Sequence, residues 1–417
     1  VRIAFVTQWF PPEPGTFVAA AIADGLAERG HHVDVLTGFP NYPTGEFHPD
    51  YPVQSYRRDH RSERVTVHRA PVYPSHDKNP GKRIANYLSF GFSAAWIART
   101  RLSRPDVWLT YSSPATAALP ALTVPHRLRA PSFLLIQDLW PDSVSGSGFL
   151  PGRSLSAIES ALHLYCNWSY RNAAGIGVIS PSMSSILLER GVPQERIHYT
   201  PNWIDERHLL PDVPPSDQLR RQLGLPTGKL FMHAGNVGEF QGLRPLIEAF
   251  ARCPDVNLAL VGDGVARSDL QAFVAGRRFG NVYFVDAQPA SRIGSFIAAS
   301  DVQVVSLQDT ALLRATMPSK VQASMAAARP ILAHASGDVA DIVRSASAGM
   351  WATPGDLAGT ASTIHELAAL SDDTRLNLGR SAQTHYREHF SLPVGLTRME
   401  RMLTLGKSRS RERSHQA

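Results

Sequence analysis

Between residues 230 and 250 an apolar strand gives way to a glycine loop and then to a helix, and few folds accommodate that succession. Leu230–His233 reads as the strand. The loop carries Gly235, Gly238 and Gly242, and the helix has Pro245 in its first turn with Leu246, Ile247, Ala249 and Phe250 on its apolar side. A strand, a glycine loop and a helix start together aim backbone N–H groups and the positive end of a helix dipole at an anion. Glycine matters there because a side chain would hold a phosphate away from the backbone. Alone, the pattern is shared with ordinary turns that run into a helix cap.

The rest of the chain repeats the α/β rhythm. Arg2–Thr7 reads as a buried strand, residues 8–16 as a loop, 17–29 as a helix capped by Thr16 and stopped by Gly30, and His32–Thr37 as the next strand. That βαβ unit opens a parallel sheet, whose ligand-binding edge lies at the carboxyl ends of its strands. Further strands are expected at Val65–Arg69, Asp106–Thr110, Ser132–Gln137, Gly175–Ser180 and Ile197–Thr200, with helices near 154–172 and 182–190. Residues 39–64, rich in Pro, Tyr and Arg, read as an irregular excursion. Residues 82–98 read as an apolar helix with basic ends, either a core helix or one that touches a membrane or a lipid acceptor. Residues 211–217, Pro-Asp-Val-Pro-Pro-Ser-Asp, read as a linker. Beyond it, strands are expected at 230–233, 256–261, 282–285, 302–305 and 331–333. A last long helix near 372–388 could cross back to the first domain, and residues 407–413 read as a structureless basic tail.

A chain of 417 residues with ordinary globular composition divides naturally into two domains of about 200 residues. Cys166 and Cys253 cannot build a disulfide framework, so a reduced, cytosolic setting is expected. No run of about 18 uncharged apolar residues occurs, and the first strand begins at once, which leaves no room for a signal peptide. A formal charge of +6 and a pI near 9.4 allow an anionic partner. Nucleic acid is discounted, because the basic residues are scattered among turns without an aromatic platform.

Several short segments, in this order, resemble the retaining glycosyltransferases of family 4. They are Phe10-Pro-Pro-Glu-Pro-Gly15, Arg29-Gly-His-His-Val-Asp-Val-Leu-Thr37, Phe39-Pro-Asn-Tyr-Pro-Thr-Gly45, Gln137-Asp-Leu-Trp-Pro-Asp142, Pro201-Asn-Trp-Ile-Asp205, Ala234-Gly-Asn-Val-Gly238 with Gln241-Gly-Leu243, Gly262-Asp-Gly264 and Met317-Pro-Ser-Lys320. Within that family the chain is most similar to the fucosaminyltransferase-like subgroup of O-antigen and colanic acid clusters. The resemblance implies an α/β fold of two Rossmann-like domains facing across a cleft, the GT-B architecture. Residues 1–205 would take the acceptor and 206–390 a nucleotide-sugar donor, with 391–417 a C-terminal segment and tail. It further implies a UDP-sugar, an N-acetylhexosamine by subgroup, transferred with retention and without metal or cofactor. The acceptor would be a polyprenyl-diphosphate-linked glycan or a natural-product scaffold, and the enzyme cytoplasmic, resting peripherally on the inner membrane face.

The leaving nucleotide diphosphate gains charge as the glycosidic bond breaks, and without a metal that charge must be met by N–H groups, helix dipoles and cations. Gly235, Asn236, Gly238, Gln241 and Gly242 would supply the first two, and Lys320 the third, with Arg314 a second cation. Gly15 would approach the donor phosphate from the first domain. Asp138 would orient the acceptor hydroxyl or take its proton. The chain departs from the family where an Arg/Lys pair is common (here Asn236 and Gln241) and where two glutamates are common (here near Ala315 and Ala323). The position before Arg329, commonly Gly, is Ala328. Gln322 or Ser324 would then have to hold the ribose. Two other readings share the architecture: a nucleotide-sugar epimerase, and a degenerate homologue that binds a partner.

Overall fold

The computed structural model describes residues 1–75, 79–142 and 155–416. Two compact units emerge, one of residues 1–202 joined by the C-terminal stretch from Gly395, the other Trp203–Val394.

The first unit holds β1 (Arg2–Val6), β2 (His32–Gly38), β3 (Arg57–His60), β4 (Val65–Ala70), β5 (Val107–Ser112), β6 (Ser132–Ile136), β7 (Gly175–Val178) and β8 (Ile197–Tyr199). Their order is β3-β4-β2-β1-β5-β6-β7-β8. All pairs are parallel except β3 with β4. Central strands covered on both faces read as unbroken apolar runs, and Ile3–Val6 and Phe133–Ile136 are buried throughout. β3 lies inside the excursion expected to be irregular. Its sequence, Arg-Arg-Asp-His, has no apolar face because it is an edge strand held by ion pairs of Asp59 with Arg57 and Arg69. Thr16 sits at the N-cap of helix Phe17–Glu28 but caps nothing: its hydroxyl donates to the Glu13 carbonyl at 2.6 Å.

Helix Pro80–Arg101 packs one face in the core and leaves apolar side chains exposed on another. Phe90, Ala94, Ile97 and Ala98 enter the core, while Leu88, Phe92 and Trp96 are 40%, 66% and 50% exposed. The expected start at residue 154 of the next long helix lies outside the described residues; Leu155–Asn172 is helical.

The second unit holds β9 (Leu230–Ala234), β10 (Asn257–Val261), β11 (Val282–Val285), β12 (Val302–Ser306), β13 (Ile331–His334) and β14 (Gly349–Ala352), ordered β11-β10-β9-β12-β13-β14 and all parallel. The short edge strand β14, with only Ala352 buried, gives no apolar run to read. Ser216 and Asp217, expected at the end of a linker, open a helix instead: Ser216 Oγ accepts from Leu219 N–H at 3.2 Å.

Helix Asp372–His389 stays in the second unit. The return is made by the following helix, Leu392–Gln416, whose Leu396 fills the space that a side chain on Gly25 would need. Glu400 of that helix pairs with Arg29 and, at 2.9 Å, with His31. Residues 407–413, read as structureless, continue this helix. Their Lys, Arg and Glu are good helix formers, and no proline interrupts them.

In both sheets the chain builds outward on one side and then returns to the other. β1 lies between β2 and β5, and β9 between β10 and β12. Connections leaving such a pair diverge, which opens a crevice at the carboxyl ends of the strands. The loop 8–16 follows β1, and the glycine loop 235–242 follows β9.

Candidate functional site

In the second unit the glycine loop is built on a second loop. Gly235 N–H donates to Val261 carbonyl and Val237 N–H to Asp263 carbonyl, both at 2.8 Å. A Cβ on Gly262 would lie 1.9 Å from the Gly235 carbonyl oxygen, and one on Gly264 2.4 Å from that of Val237. The Gly-Asp-Gly motif is therefore the floor on which the loop rests, a close backbone approach that no side chain permits. Gln241 turns back so that its Oε1 accepts from Gly238 N–H at 3.0 Å. Gly242 N–H donates to Glu239 carbonyl at 3.0 Å and Gln241 N–H to Gly238 carbonyl at 3.4 Å, so of the loop residues expected to offer N–H groups to an anion, Gly235, Gly238, Gln241 and Gly242 spend theirs inside the fold. Gly242, with φ of 54°, begins helix Leu243–Phe250, which no side chain caps. Its open N-terminus keeps its dipole and N–H groups for a ligand.

Asn236 is exposed, with its side chain over Gly238 and Gly264. Lys320 lies beside it, and its Nζ is 3.5 Å from the Asn236 carbonyl. The lysine occupies the space over Gly235: its Cε is 2.8 Å from where a Cβ would stand. Apart from that one long carbonyl contact, the position disfavours a cation. Lys320 is in the first turn of helix Ser319–Ala326, at the positive end of the dipole. Among the described residues no carboxylate pairs with it, and burial lowers its pKa to about 8. Below the loop His233 is fully buried between the carbonyls of Val304 (3.2 Å) and Asn236 (3.3 Å). Burial, with Lys320 nearby, lowers its pKa to about 3, so it stays neutral.

Arg314 is not a second free cation. Its guanidinium binds Asp309 through two contacts, at 2.6 and 2.9 Å. The loop after β12 braces the site in another way: Gln308 N–H donates to Phe240 carbonyl at 2.8 Å. Ser306 Oγ donates to the Gln241 carbonyl at 2.6 Å, so the hydroxyl accepts from His334 Nδ1 at 2.8 Å. Of the residues expected to replace the missing glutamates, Ser324 is used up by its own helix, donating to the Lys320 carbonyl at 2.7 Å. Gln322 is buried with its Oε1 unpartnered, and Ala315 is buried too.

In the first unit the organiser of the loop after β1 is Glu13, which sequence reasoning passed over. One carboxylate oxygen accepts from Phe10 N–H at 3.1 Å, the other from Asn41 and Tyr42 N–H at 2.9 and 3.0 Å. It ties the loops after β1 and β2 together. Burial raises its pKa, and the three N–H groups and Arg69 pull it back. Each of those donors, if orphaned, would cost about 1–3 kcal/mol. Gly15, with φ of 75°, is exposed with open space over its Cα.

Asp138 emerges just after β6. It is reachable by solvent, yet enough protein surrounds it to raise its carboxyl pKa, an effect that Ser113 Oγ, donating at 2.9 Å, partly reverses. The neighbouring residue is fixed from the loop after β8, where Asn202 Nδ2 donates to Gln137 Oε1 at 2.6 Å. A carboxylate poised above its ordinary range beside a sheet's ligand edge can accept a proton from a hydroxyl.

The structure thus gathers Gly235, Asn236, Gly238, Gln241, Gly242 and Lys320 at one sheet edge of the second unit. Gly15 and Asp138 stand at the corresponding edge of the first.

Comparison with known proteins agrees with this division. Residues 15–203 match the model of a glycosyl transferase 4-like domain, and residues 228–369 that of the group 1 glycosyl transferases. A colanic acid biosynthesis glycosyl transferase of Escherichia coli, WcaI, is 29% identical over 309 residues, covering 72% of this chain and 74% of its own. The 2-deoxystreptamine glucosyltransferase of Streptomyces kanamyceticus is 24% identical over 92% of this chain and 97% of its own. Among solved structures, Anabaena HepE in complex with UDP-glucose superposes with a TM-score of 0.66 at 16% identity, covering 97% of this chain and 99% of that one.

Proposed function

Because this chain belongs to the family 4 glycosyltransferases of GT-B fold, we propose that it moves a sugar from a UDP-sugar to a glycan hydroxyl, with retention and without a metal. The observation that carries this reading is Lys320. A largely covered lysine at a helix start, without a carboxylate partner among the described residues, is unfavourable on three counts, and a bound diphosphate offsets all three. The open start of helix Leu243–Phe250 adds its dipole to the same charge. Leaving-group charge met in this way is the main lever for such a transfer. Asp138 orients the attacking hydroxyl and takes its proton. A UDP-linked donor is supported by the complex of HepE, and a polysaccharide intermediate as acceptor by the colanic acid relative. An N-acetylhexosamine as the sugar, and a polyprenyl-diphosphate anchor on the acceptor, complete the proposal. Incubation with UDP-N-acetylglucosamine, UDP-glucose and UDP-galactose, each with a bacterial extract of lipid-linked glycans and with EDTA present, tests it. The expected product is an α-linked sugar by proton NMR; release of no UDP from any donor would sink the reading.

A lipid-linked acceptor would bring the enzyme to a membrane surface. Among the described residues no helix is long and apolar enough to cross a membrane. Leu88, Phe92 and Trp96, four apart on one helix face and exposed, lie between basic residues at both helix ends, including Arg99 and Arg101 in the last turn. That is the composition of an interfacial helix on an anionic bilayer at the cytoplasmic face. The protein should float with phosphatidylglycerol vesicles at low salt and lose most of that binding in Phe92→Glu. Equal flotation of wild type and variant would remove the helix from the account.

A further inference from the structure

A row of four aromatic rings crosses the ligand edge of the first unit. Tyr42, from the loop after β2, lies 5.9 Å from Trp9, from the loop after β1. Trp9 lies 6.3 Å from Tyr87 of helix Pro80–Arg101, and Tyr87 5.7 Å from Trp140, which follows β6. All four rings are partly exposed. Rings brought together merely to fill a core would be covered.

The backbone that carries each ring is tied down by polar groups. Glu13 takes the Tyr42 N–H. Gln8, next to Trp9, donates to Asn86, next to Tyr87, at 2.6 Å, and both amides are 1% exposed. Thr116 Oγ1 donates to the Tyr87 carbonyl at 3.0 Å. The Trp140 carbonyl accepts from Tyr170 at 3.1 Å and from Arg190 at 2.9 Å. Hydrogen bonds between segments far apart in sequence fix the backbone of the row before any ligand arrives, which lowers the entropy cost of binding.

The row ends beside the chemistry. Trp140 is two residues beyond Asp138, whose backbone carbonyl takes the Trp140 N–H at 3.0 Å. The indole N–H groups of Trp9 and Trp140 have no acceptor among the described residues, and neither is sealed from solvent. Along the row, therefore, apolar ring surface alternates with donors that solvent can reach. Tyr87 adds a hydroxyl that accepts from Arg83 at 2.9 Å. A hydrocarbon tail could use the rings but would leave those donors dry, which is costly. A carbohydrate uses both, laying its C–H faces on the rings and its hydroxyls on the N–H groups.

We infer that Tyr42, Trp9, Tyr87 and Trp140 form an extended acceptor platform that binds an oligosaccharide of several residues and delivers its terminal hydroxyl to Asp138. The inference rests on the transferase reading and specifies the acceptor as the glycan portion, read by length, rather than its lipid anchor. Length dependence is the distinguishing consequence, because each added sugar meets another ring until the row is used up.

The test is binding of the full chain to a printed array of defined bacterial and model oligosaccharides, from mono- to hexasaccharides, with a separate UDP titration. Wild type should retain a subset of glycans, with signal rising from mono- to tetrasaccharide. Trp9→Ala and Tyr87→Ala should lose at least tenfold in half-saturating concentration while keeping the wild-type melting profile. Trp9→Phe and Trp140→Phe, which keep a ring and delete the N–H, should fall between. UDP binding without glycan capture, capture that ignores length, or variants that bind as wild type does would overturn the platform and leave the transferase reading intact. Glycan capture through the row without UDP binding would do the reverse.

Discussion

Replacing Asp138 with asparagine is expected to slow sugar transfer by about a hundred- to ten-thousand-fold, the range lost when a positioned general base is removed, while UDP affinity stays at the wild-type level. The amide keeps the shape and can still accept from Ser113 Oγ, which lies 2.9 Å from the carboxylate in the native protein. It cannot take a proton from an attacking hydroxyl. Because the surrounding protein raises the carboxyl pKa although solvent reaches it, the acid limb of the pH–rate profile should fall above the ordinary aspartate range and vanish in the variant. Single-turnover transfer measured across pH, beside a UDP titration, separates the two effects. Wild-type rates in Asp138→Asn would make the carboxylate a brace for its loop and nothing more.

Lys320→Met should act in opposite directions on binding and on stability. A hydrogen-bonded charge is worth about 1.5–3 kcal/mol, so UDP affinity should drop by about ten- to a hundredfold. The fold itself should gain. The folded-state pKa of about 8 lies below the ordinary 10.5, so between these values the unfolded chain holds a proton that the native state has released. Native stability therefore rises with pH through that window, and below about 8 the full penalty of the buried charge is present. Deleting the charge removes the penalty, and the melting temperature at pH 7 should rise by about 2–4 °C for each kcal/mol recovered. For the wild type, UDP affinity should be level up to about pH 8 and decline above it as the ammonium is lost. A variant that melts lower and binds UDP normally would show a lysine that serves packing, and the anion would have to be held elsewhere.

The two sheets were legible because buried parallel strands spell themselves as apolar runs, and the glycine loop because it followed one of them directly. What escaped was whatever depends on a partner distant in sequence. β3 and β14 are edge strands with no apolar face to announce them. Glu13, between prolines, reads as a solvated loop residue until the N–H groups of Asn41 and Tyr42 arrive from another crossover. Gly262 and Gly264 were legible as part of a family-like segment. Their reason, contact with the backbone of residues 235–237, exists only in three dimensions.

The candidate site shows the same division. Residue types were readable, and their availability was not. Arg314 is neutralised by Asp309, Gln241 is spent on Gly238, and Ser324 is spent on its own helix. Lys320, expected from the sequence as the cation, is the one whose availability holds: it is largely covered and, among the described residues, has no carboxylate partner. Where the family's paired glutamates are common, this chain has buried Ala315 and half-buried Ala323, neither of which can hydrogen-bond a ribose hydroxyl.

Calorimetric titration of the purified protein with UDP in EDTA tests this account most directly. It predicts binding at one site per chain, weakened in Lys320→Met and declining above about pH 8. Absence of binding to UDP, and equally to GDP and dTDP, would contradict it.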